Sequence, residues 1–378
     1  MKDTIKKHLM LPPWQRAVIK IGSSLVAPDG KRLSNTFTLT IAGFISECRR
    51  RGKEIILVSS GAVAAGLSTQ QKRIMPPLSI PQKQAMAAMG QPLLIAHWSK
   101  YFDFPCAQLL LTYQGIRERR RFVNARNTLH ELLQRGALPI INENDTVVVD
   151  ELKVGDNDNL AAHVAVLADA DLLLIGSDVD GLYDGDPKTS SRASLVPFVE
   201  KIDKSVYDLA GGAGSTIATG GMRTKLEAAE KATARGINTI IFNAGRRESF
   251  ASLLADEVSG TLFQRRKSPL NAKKHWLLHT LKSKGDIYID AGAATALREK
   301  GASLLPSGIV RVTGRFKQGN AVIIRTESET IAKGIVQYDA DELDSIMGKK
   351  SSEIKQVLGF ILTDEVVNRD DMVLLQKG

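Results

Sequence analysis

The first 263 residues alternate short runs of apolar, β-branched residues with longer stretches of helical periodicity. Strands that are apolar on both faces are typical of a parallel sheet covered by helices on both sides, so this alternation predicts an α/β fold, a three-layer αβα sandwich. Ligands of such sheets bind beyond the carboxyl ends of the strands. The predicted strands are Ala17–Ile21, Glu54–Ser59, Cys106–Leu111, Ala137–Ile141, Leu172–Ile175 and Asn238–Phe242, and the predicted helices cover residues 34–51, 82–101, 118–135, 157–168 and 222–235.

A second region follows a basic segment that contains Pro269. Residues 264–276 hold five Lys or Arg and no Asp or Glu, which is typical of an exposed linker. Beyond it, short apolar runs punctuated by glycine predict a small β-rich barrel. We therefore predict an N-terminal extension at 1–15, an α/β domain at 16–263, a linker at 264–276 and a β-rich domain at 277–378. Its predicted elements are strands Asp286–Ile289, Gly308–Val312, Ala321–Arg325 and Ala332–Gln337, and helices Gly292–Lys300 and Ala340–Ile346.

The net charge of +10 invites comparison with nucleic-acid-binding proteins. Residues 277–378 hold 14 Lys or Arg and 14 Asp or Glu, so the whole excess lies in residues 1–276. A solvated basic face is the commoner explanation, and the neutral tail argues against RNA binding there.

No apolar run is long enough to span a membrane. Cys48 and Cys106 lack metal-ligand spacing and favour a reducing cytoplasm.

Two predicted strands end in loops that suit an anion. Lys20–Ser24 reads Lys-Ile-Gly-Ser-Ser, in which the glycine lets backbone N–H groups approach a phosphate and the lysine neutralises its charge. Ser59–Gly66 opens the following helix with small residues, which leave the helix N-terminus uncovered so that a carboxylate or phosphate can bind there. The alternatives are a lysine that merely lies along a strand end, and tight packing of a helix on the sheet.

The densest group of polar side chains is Lys153–Asn159, which reads Lys-Val-Gly-Asp-Asn-Asp-Asn and directly precedes an apolar helical run. Such a segment can bind a small polar substrate and organise phosphates at the helix N-terminus. The alternative is a polar turn with an Asn or Asp helix cap. Asn142–Asp145, after the fourth strand, is a second group of carboxamides and carboxylates.

Two more loops carry hydroxyl and glycine residues. Ser177 and Asp178 follow the fifth strand, and Thr219–Lys225 opens the predicted helix at 222–235 with two glycines, two threonines and a lysine. The Walker A, dinucleotide, serine-hydrolase and zinc-peptidase motifs are absent from the chain. Two lysines on separate glycine-containing loops, with helix N-termini and a carboxylate cluster, indicate phosphoryl transfer. We expect Lys20 and Lys225 to lie in exposed loops, where they contribute little stability.

These motifs, in this order, resemble those of the amino acid kinase family, in particular its members that phosphorylate glutamate. The tail resembles a PUA domain, the module named for pseudouridine synthases and archaeosine transglycosylases. The resemblance begins near residue 16 and extends to the end of the chain. It is carried by Val18–Ser24, Ser59–Ala62, Ile141–Asp145, Lys153–Asn159 and Thr219–Lys225, and in the tail by Gly292–Thr295, Ser303–Pro306 and Gly308–Ile309.

The resemblance implies a sandwich of amino acid kinase type and a role for each motif. Lys20 and Lys225 would hold the transferring phosphoryl group, and Asp158 would organise the two lysines. The implied substrate-binding residues are Ser60, Asn142, Asp145 and Asn157. The implied nucleotide-binding residues are Lys20, Ser177, Asp178, Thr219, Gly220, Gly221, Met222, Arg223, Thr224 and Lys225.

The reaction that the resemblance implies is transfer of a phosphoryl group from ATP to the γ-carboxylate of L-glutamate, giving L-glutamyl 5-phosphate for proline biosynthesis. It also implies Mg²⁺ as the partner of ATP, L-proline as a feedback inhibitor, a homo-oligomer and glutamyl phosphate reductase as a partner enzyme. No protein ligand of the metal is assigned. Two alternatives stay open: an acetylglutamate or aspartate kinase of the same fold, and an RNA-binding protein that acts through its tail.

Overall fold

The computed structural model describes residues 9–70, 77–147, 157–185, 187, 192–210, 219–266 and 283–375. The chain divides into two compact units, one within Met1–Ile116 and Ala125–Lys267, the other within Arg117–Asn124 and Ser268–Gly378. The boundaries predicted from composition stay a prediction, and most of the predicted linker lies outside the described residues. In the described part of the chain, every helix is too short or too polar to cross a membrane.

Eight strands form the sheet of the first unit: β1 (Arg16–Ile21), β2 (Glu54–Ser59), β3 (Cys106–Leu111), β4 (Leu138–Glu143), β5 (Leu172–Ser177), β6 (Phe198–Val199), β7 (Asn238–Asn243) and β8 (Thr261–Phe263). Their order is β3-β4-β2-β1-β5-β7-β8-β6. The six predicted strands are confirmed and pair in parallel. The pattern missed β8, which runs antiparallel to β7, and β6, because segments of two or three residues carry too little periodicity to be recognised.

Ten helices are described before residue 264: α1 (Ser23–Val26), α2 (Asn35–Arg50), α3 (Ala62–Leu67), α4 (Ile80–Ser99), α5 (Tyr113–Arg117), α6 (Arg119–Gln134), α7 (Asn157–Leu167), α8 (Lys204–Ala210), α9 (Thr219–Ala234) and α10 (Arg247–Leu254). The five predicted helices correspond to α2, α4, α6, α7 and α9. Helix α9 begins three residues earlier than predicted, so Thr219–Gly221 forms its first turn and does not precede it as a loop.

Alternation along β1 decides which side chains face which helices. Ala17, Ile19 and Ile21 join a core cluster with residues of α2, α4 and α10, so those helices cover one face of the sheet. Lys20 belongs to the opposite face, because successive strand residues point to opposite sides. On that face α7 packs on β1 and β5, and α9 packs on β5 and β7.

The second unit contains a five-stranded sheet with the order β10-β9-β11-β12-β13. Its strands are β9 (Gly285–Ile289), β10 (Ile309–Gly314), β11 (Ala321–Arg325), β12 (Thr330–Ile335) and β13 (Met372–Leu374). The α-helices described after residue 283 are α11 (Ala291–Glu299), α12 (Ala340–Ile346) and α13 (Ile354–Leu358). Neighbouring strands are antiparallel except β9 and β11. The unit has its own apolar core. The predicted β-rich domain is therefore confirmed.

Helices α3 and α4 approach each other unusually closely. A capping box of Ser79 and Gln82 starts α4. A Cβ atom added to Gly90 would lie 1.9 Å from the carbonyl oxygen of Ala62, and one added to Gly66 would lie 1.9 Å from that of Met86. Only glycine permits this contact, which holds α4 against the helix that follows the Ser59–Gly61 loop.

We predict that Gly90→Ala destabilises the protein by at least about 2 kcal/mol, because the new methyl group meets backbone and not a movable side chain. Gly43→Ala is the matched control: Gly43 lies inside α2 with open space around its Cβ position. That change should raise stability by up to about 1 kcal/mol through helix propensity. Chemical denaturation measures both, and equal effects at the two glycines would contradict the close packing.

Candidate active site

Lys20 and Lys225 are buried, at 7% and 9% exposed, so the expectation that they lie in exposed loops is wrong. Lys20 is inside β1, paired with Val58 of β2 and Ile175 of β5, and it is covered on its side of the sheet by α7. Lys225 lies in the second turn of α9, which packs on α7. The sequence pattern placed both at element ends but could not reveal the helices that cover them.

Asp158 lies between the two lysines at the start of α7 and is 3% exposed. Its Oδ1 is 2.5 Å from Lys20 Nζ, and its Oδ2 is 3.0 Å from Lys225 Nζ. Thr224 Oγ1 also donates to Oδ2, at 3.1 Å. These contacts bring β1, α7 and α9 together at the carboxyl edge of the sheet, where ligands of such sheets bind.

The electrostatics of this cluster favour an anion. Burial alone would raise the pKa of Asp158, but attraction to Lys20 and Lys225 outweighs burial and holds that pKa below its ordinary value. The carboxylate is therefore ionised at neutral pH. Two ammonium groups share this one carboxylate, so the three groups together carry one excess positive charge in a place largely shielded from water.

A chain of hydrogen-bonded side chains continues from α7 to α4. Asn157 Nδ2 donates to Ser60 Oγ at 2.7 Å and to Asn142 Oδ1 at 3.0 Å. Asn142 Nδ2 in turn donates to Gln91 Oε1 at 2.9 Å. We call these four side chains, Gln91, Asn142, Asn157 and Ser60, the amide relay. Asn157 directly precedes Asp158, so the amide relay lies next to the lysine cluster in the first turn of α7.

The amide relay brings together three of the four predicted substrate-binding residues: Ser60, Asn142 and Asn157. The fourth, Asp145, begins a 3₁₀ turn just after β4, and burial raises the pKa of its carboxyl group. No hydrogen bond recorded among the described residues joins Asp145 to the relay. The first part of the polar segment, Lys153–Asp156, lies outside the described residues.

The predicted nucleotide-binding residues of the two loops lie at the end of β5 and at the start of α9. Ser177 ends β5, beside Asn243 of β7, and its hydroxyl donates to Asp178 Oδ1 at 3.1 Å. Thr224 and Lys225 join the Asp158 cluster, whereas Arg223 is exposed and forms an ion pair with Glu227 at 3.3 Å. Thr219 is the first residue of α9. Gly221 and Met222 lie in the first turn of α9, next to Gly220.

The sequence reasoning missed Gln91 and Trp98, both of α4. Gln91 is the only polar side chain between Ala85 and Ala96, and a lone glutamine in an apolar helix was the available signal. Trp98 is fully buried, and its Nε1 donates to Ser59 Oγ at 2.8 Å, which holds the residue next to Ser60.

We predict that Asp158→Asn lowers the stability of the fold at pH 7 by on the order of 3 kcal/mol, because Lys20 and Lys225 lose their buried counterion. The folded pKa of Asp158 is depressed, so the carboxylate stabilises the fold fully above its unfolded pKa of about 4. That contribution is lost as the pH falls through the lower, folded value.

The difference in melting temperature between wild type and Asp158→Asn should therefore be constant near neutral pH and shrink below about pH 4. Asp208→Asn, at an exposed position of α8, is the control and should have little effect at any pH. A difference that persists unchanged into acid would contradict the ionised, lysine-paired carboxylate.

Comparison with known proteins shows the family to which the chain belongs. Residues 15–243 match the model of the amino acid kinase family, and residues 285–358 match that of the PUA domain. The chain is 56% identical to a glutamate 5-kinase of Salinibacter ruber, over 96% of this chain and 98% of the relative. It is 51% identical to a glutamate 5-kinase of Idiomarina loihiensis, over 97% and 99%, and 49% identical to one of Xanthomonas oryzae, over 95% and 100%. The chain therefore belongs to the amino acid kinase family, within its glutamate 5-kinase branch, and carries a C-terminal PUA domain.

Proposed function

We propose that this chain transfers the γ-phosphoryl group of ATP to the γ-carboxylate of L-glutamate, giving L-glutamyl 5-phosphate and ADP, the first step of proline biosynthesis. The observation that carries the proposal is the pair of buried lysines, Lys20 and Lys225, on the single buried carboxylate of Asp158. Identity of about half to glutamate 5-kinases over nearly the whole chain supports the same substrate.

The acceptor needs no general base in this reaction. The γ-carboxylate of glutamate has an ordinary pKa of about 4.3 and is already an anion at neutral pH. The barrier comes from bringing this anion in line with the phosphorus atom of another anion. The ammonium groups of Lys20 and Lys225 lower it, because they neutralise charge on the phosphoryl oxygens during transfer.

Asp158 acts on the two lysines and not as a proton acceptor. Two ammonium groups this close together repel each other, and the shared carboxylate holds both in place at 2.5 and 3.0 Å. Its lowered pKa makes it a poor base. The carboxylate neutralises only one of the two charges, so one positive charge is available to the phosphoryl group.

The remaining roles follow the family resemblance. Ser60, Asn142, Asp145 and Asn157 bind the glutamate. The nucleotide is held by Lys20, by Ser177 and Asp178 at the end of β5, and by Thr219–Lys225 of α9. The first turn of α9 would present backbone N–H groups to the phosphates, because the first N–H groups of a helix have no acceptor within the helix.

Mg²⁺ enters this proposal as the companion of ATP. Among the described residues, no group of three or more His, Cys, Asp or Glu side chains could hold a metal ion. We expect the ion to be bound through phosphate oxygens and water, which is how Mg²⁺ is commonly held. The ion would supply further positive charge to the phosphates, while the protein groups position the substrates.

We also propose an inhibitor, an oligomeric state, a partner enzyme and a cellular compartment for this protein. L-proline would act as a feedback inhibitor, the chain would form a homo-oligomer, and glutamyl phosphate reductase would act as a partner enzyme, all as the family resemblance implies. Cys48 and Cys106 are free thiols, which favours a reducing cytoplasm. The equal numbers of acidic and basic residues in 277–378 argue against RNA binding by the tail.

The substrate is tested directly by a coupled assay of ADP release. We predict that release depends on both L-glutamate and Mg²⁺, and that hydroxylamine traps the product as the γ-hydroxamate, because an acyl phosphate reacts with this nucleophile. Acetylglutamate and aspartate are the comparison substrates. Higher activity with either of them than with glutamate would overturn the assignment and favour another kinase of the same fold.

The lysines are tested separately. We predict that Lys20→Ala and Lys225→Ala each lower kcat by roughly 10²–10³, the scale for loss of one group that stabilises charge in the transition state. Lys201→Ala, an exposed lysine outside the cluster, is the control and should keep wild-type kcat. Circular dichroism establishes that each variant is folded, and a folded variant with near-normal kcat would remove that lysine from the mechanism.

A further inference from the structure

The orientation of every amide in the relay follows from one backbone group. The N–H of Glu143 lies 2.9 Å from one side-chain atom of Asn142. A backbone N–H can only donate a hydrogen bond, so this atom must be the oxygen, Oδ1, and not the nitrogen. Glu143 thus fixes which way round the Asn142 amide lies.

The orientation of the Asn142 amide determines the orientations of the neighbouring amides. Asn142 presents its NH₂ group to Gln91, so Gln91 has to offer its oxygen, Oε1, at 2.9 Å. Asn142 Oδ1 also faces Asn157, which therefore has to offer its nitrogen, at 3.0 Å. The second hydrogen of that nitrogen is donated to Ser60 Oγ at 2.7 Å. Gln91, Asn142 and Asn157 are all at most 6% exposed, which leaves little room for water to substitute for these bonds.

This orientation decides what the relay offers to a ligand. Both hydrogens of the Asn157 amide are committed, so its remaining polar atom, Oδ1, is purely an acceptor. That oxygen is buried and has no hydrogen-bond partner among the described residues. Ser60 Oγ accepts a bond from Asn157, so its own hydrogen is available to donate. An acceptor beside a donor complements the ammonium and carboxylate groups of an amino acid.

We propose that Gln91 is a positioning residue for the glutamate site. By accepting from Asn142, it holds the relay so that Asn157 Oδ1 accepts a hydrogen bond from the α-ammonium group of glutamate and the Ser60 hydroxyl donates to a carboxylate. This inference rests on the proposed function. Gln91 itself touches no substrate in it.

The surroundings of Gln91 support this role. Its Nε2 atom is buried without a hydrogen-bond partner in the described part of the chain, so the residue carries a cost of burial that an apolar side chain would avoid. The preceding residue, Gly90, packs α4 against α3 through a close contact that leaves no room for a Cβ atom. The oxygen of Gln91 is thus held at a defined distance from Asn142.

The first test is Gln91→Met, which keeps the length of the side chain and removes the acceptor. The KM for L-glutamate should rise about tenfold, the effect of losing roughly one hydrogen bond, while kcat and the KM for ATP stay within about twofold. Leu94→Met on the same helix is the control for altered packing and should leave all three constants unchanged. An unchanged glutamate KM in folded Gln91→Met would overturn the proposal.

Two further variants separate positioning from stability. Gln91→Glu keeps an oxygen at the same distance and should restore much of the glutamate affinity. Gln91→Asn keeps polarity but is too short, and it should raise the KM as Gln91→Met does. It also serves as the test if Gln91→Met does not fold. Wild-type KM in Gln91→Asn, or no recovery in folded Gln91→Glu, would contradict a role for the oxygen.

A double-mutant cycle tests whether Gln91 acts through Asn142. In an Asn142→Ala background, Gln91→Met should cause no further rise in the glutamate KM, because the relay is already broken. Additive effects would show that Gln91 acts by another route. If the wild-type protein releases no ADP with glutamate, the proposed function is wrong. If the wild-type protein is active but the Gln91 variants do not show the expected changes in the glutamate KM, only the positioning role of Gln91 is wrong.

Glutarate, which lacks the ammonium group, tests the ligand group involved. As a competitive inhibitor it keeps the carboxylate that Ser60 would contact and lacks the ammonium group that Asn157 would contact, so Gln91→Met should weaken its binding clearly less than it weakens the binding of glutamate. A loss of glutarate binding equal to the loss of glutamate binding would show that the relay does not act on the ammonium group.

Discussion

The ion cluster of Lys20, Asp158 and Lys225 is the interaction on which the rest of the site depends. Charges are costly to bury, and the two buried lysines are stabilised by one carboxylate held within 3.0 Å of both. That requirement brings β1, α7 and α9 to a common point. It also leaves one positive charge without a counterion from the cluster, and a transferred phosphoryl group can use that charge.

The first turn of α7 joins this cluster to the substrate side of the site. Asp158 contacts the lysines, while its neighbour Asn157 contacts Ser60 and Asn142. Glycine contacts hold α4 against α3. Helix α4 in turn supports the site through Gln91 and Trp98, neither of which belongs to a loop motif. Helix α4, which is otherwise apolar in its central part, therefore holds residues of the site in place through these two hydrogen bonds.

Sequence reasoning succeeded where the local signal was long. Strands of six residues and helices of eleven or more were placed within a few residues, because their periodicity is strong. It failed for β6 and β8, which are too short to show a pattern and form only by pairing with each other and with β7. It also failed on the burial of Lys20 and Lys225, since exposure depends on helices distant in the chain.

The sequence by itself determined the two-part architecture, the parallel sheet and the motifs at its carboxyl edge, because propensity, periodicity and residue type are local properties. Only the tertiary structure decided that Asp158 lies between two lysines, each of which is more than 60 residues away from it along the chain. The tertiary structure alone brought Gln91 within hydrogen-bond distance of Asn142. Such contacts join residues that sequence spacing leaves unrelated, and their geometry is set by how helices pack on the sheet.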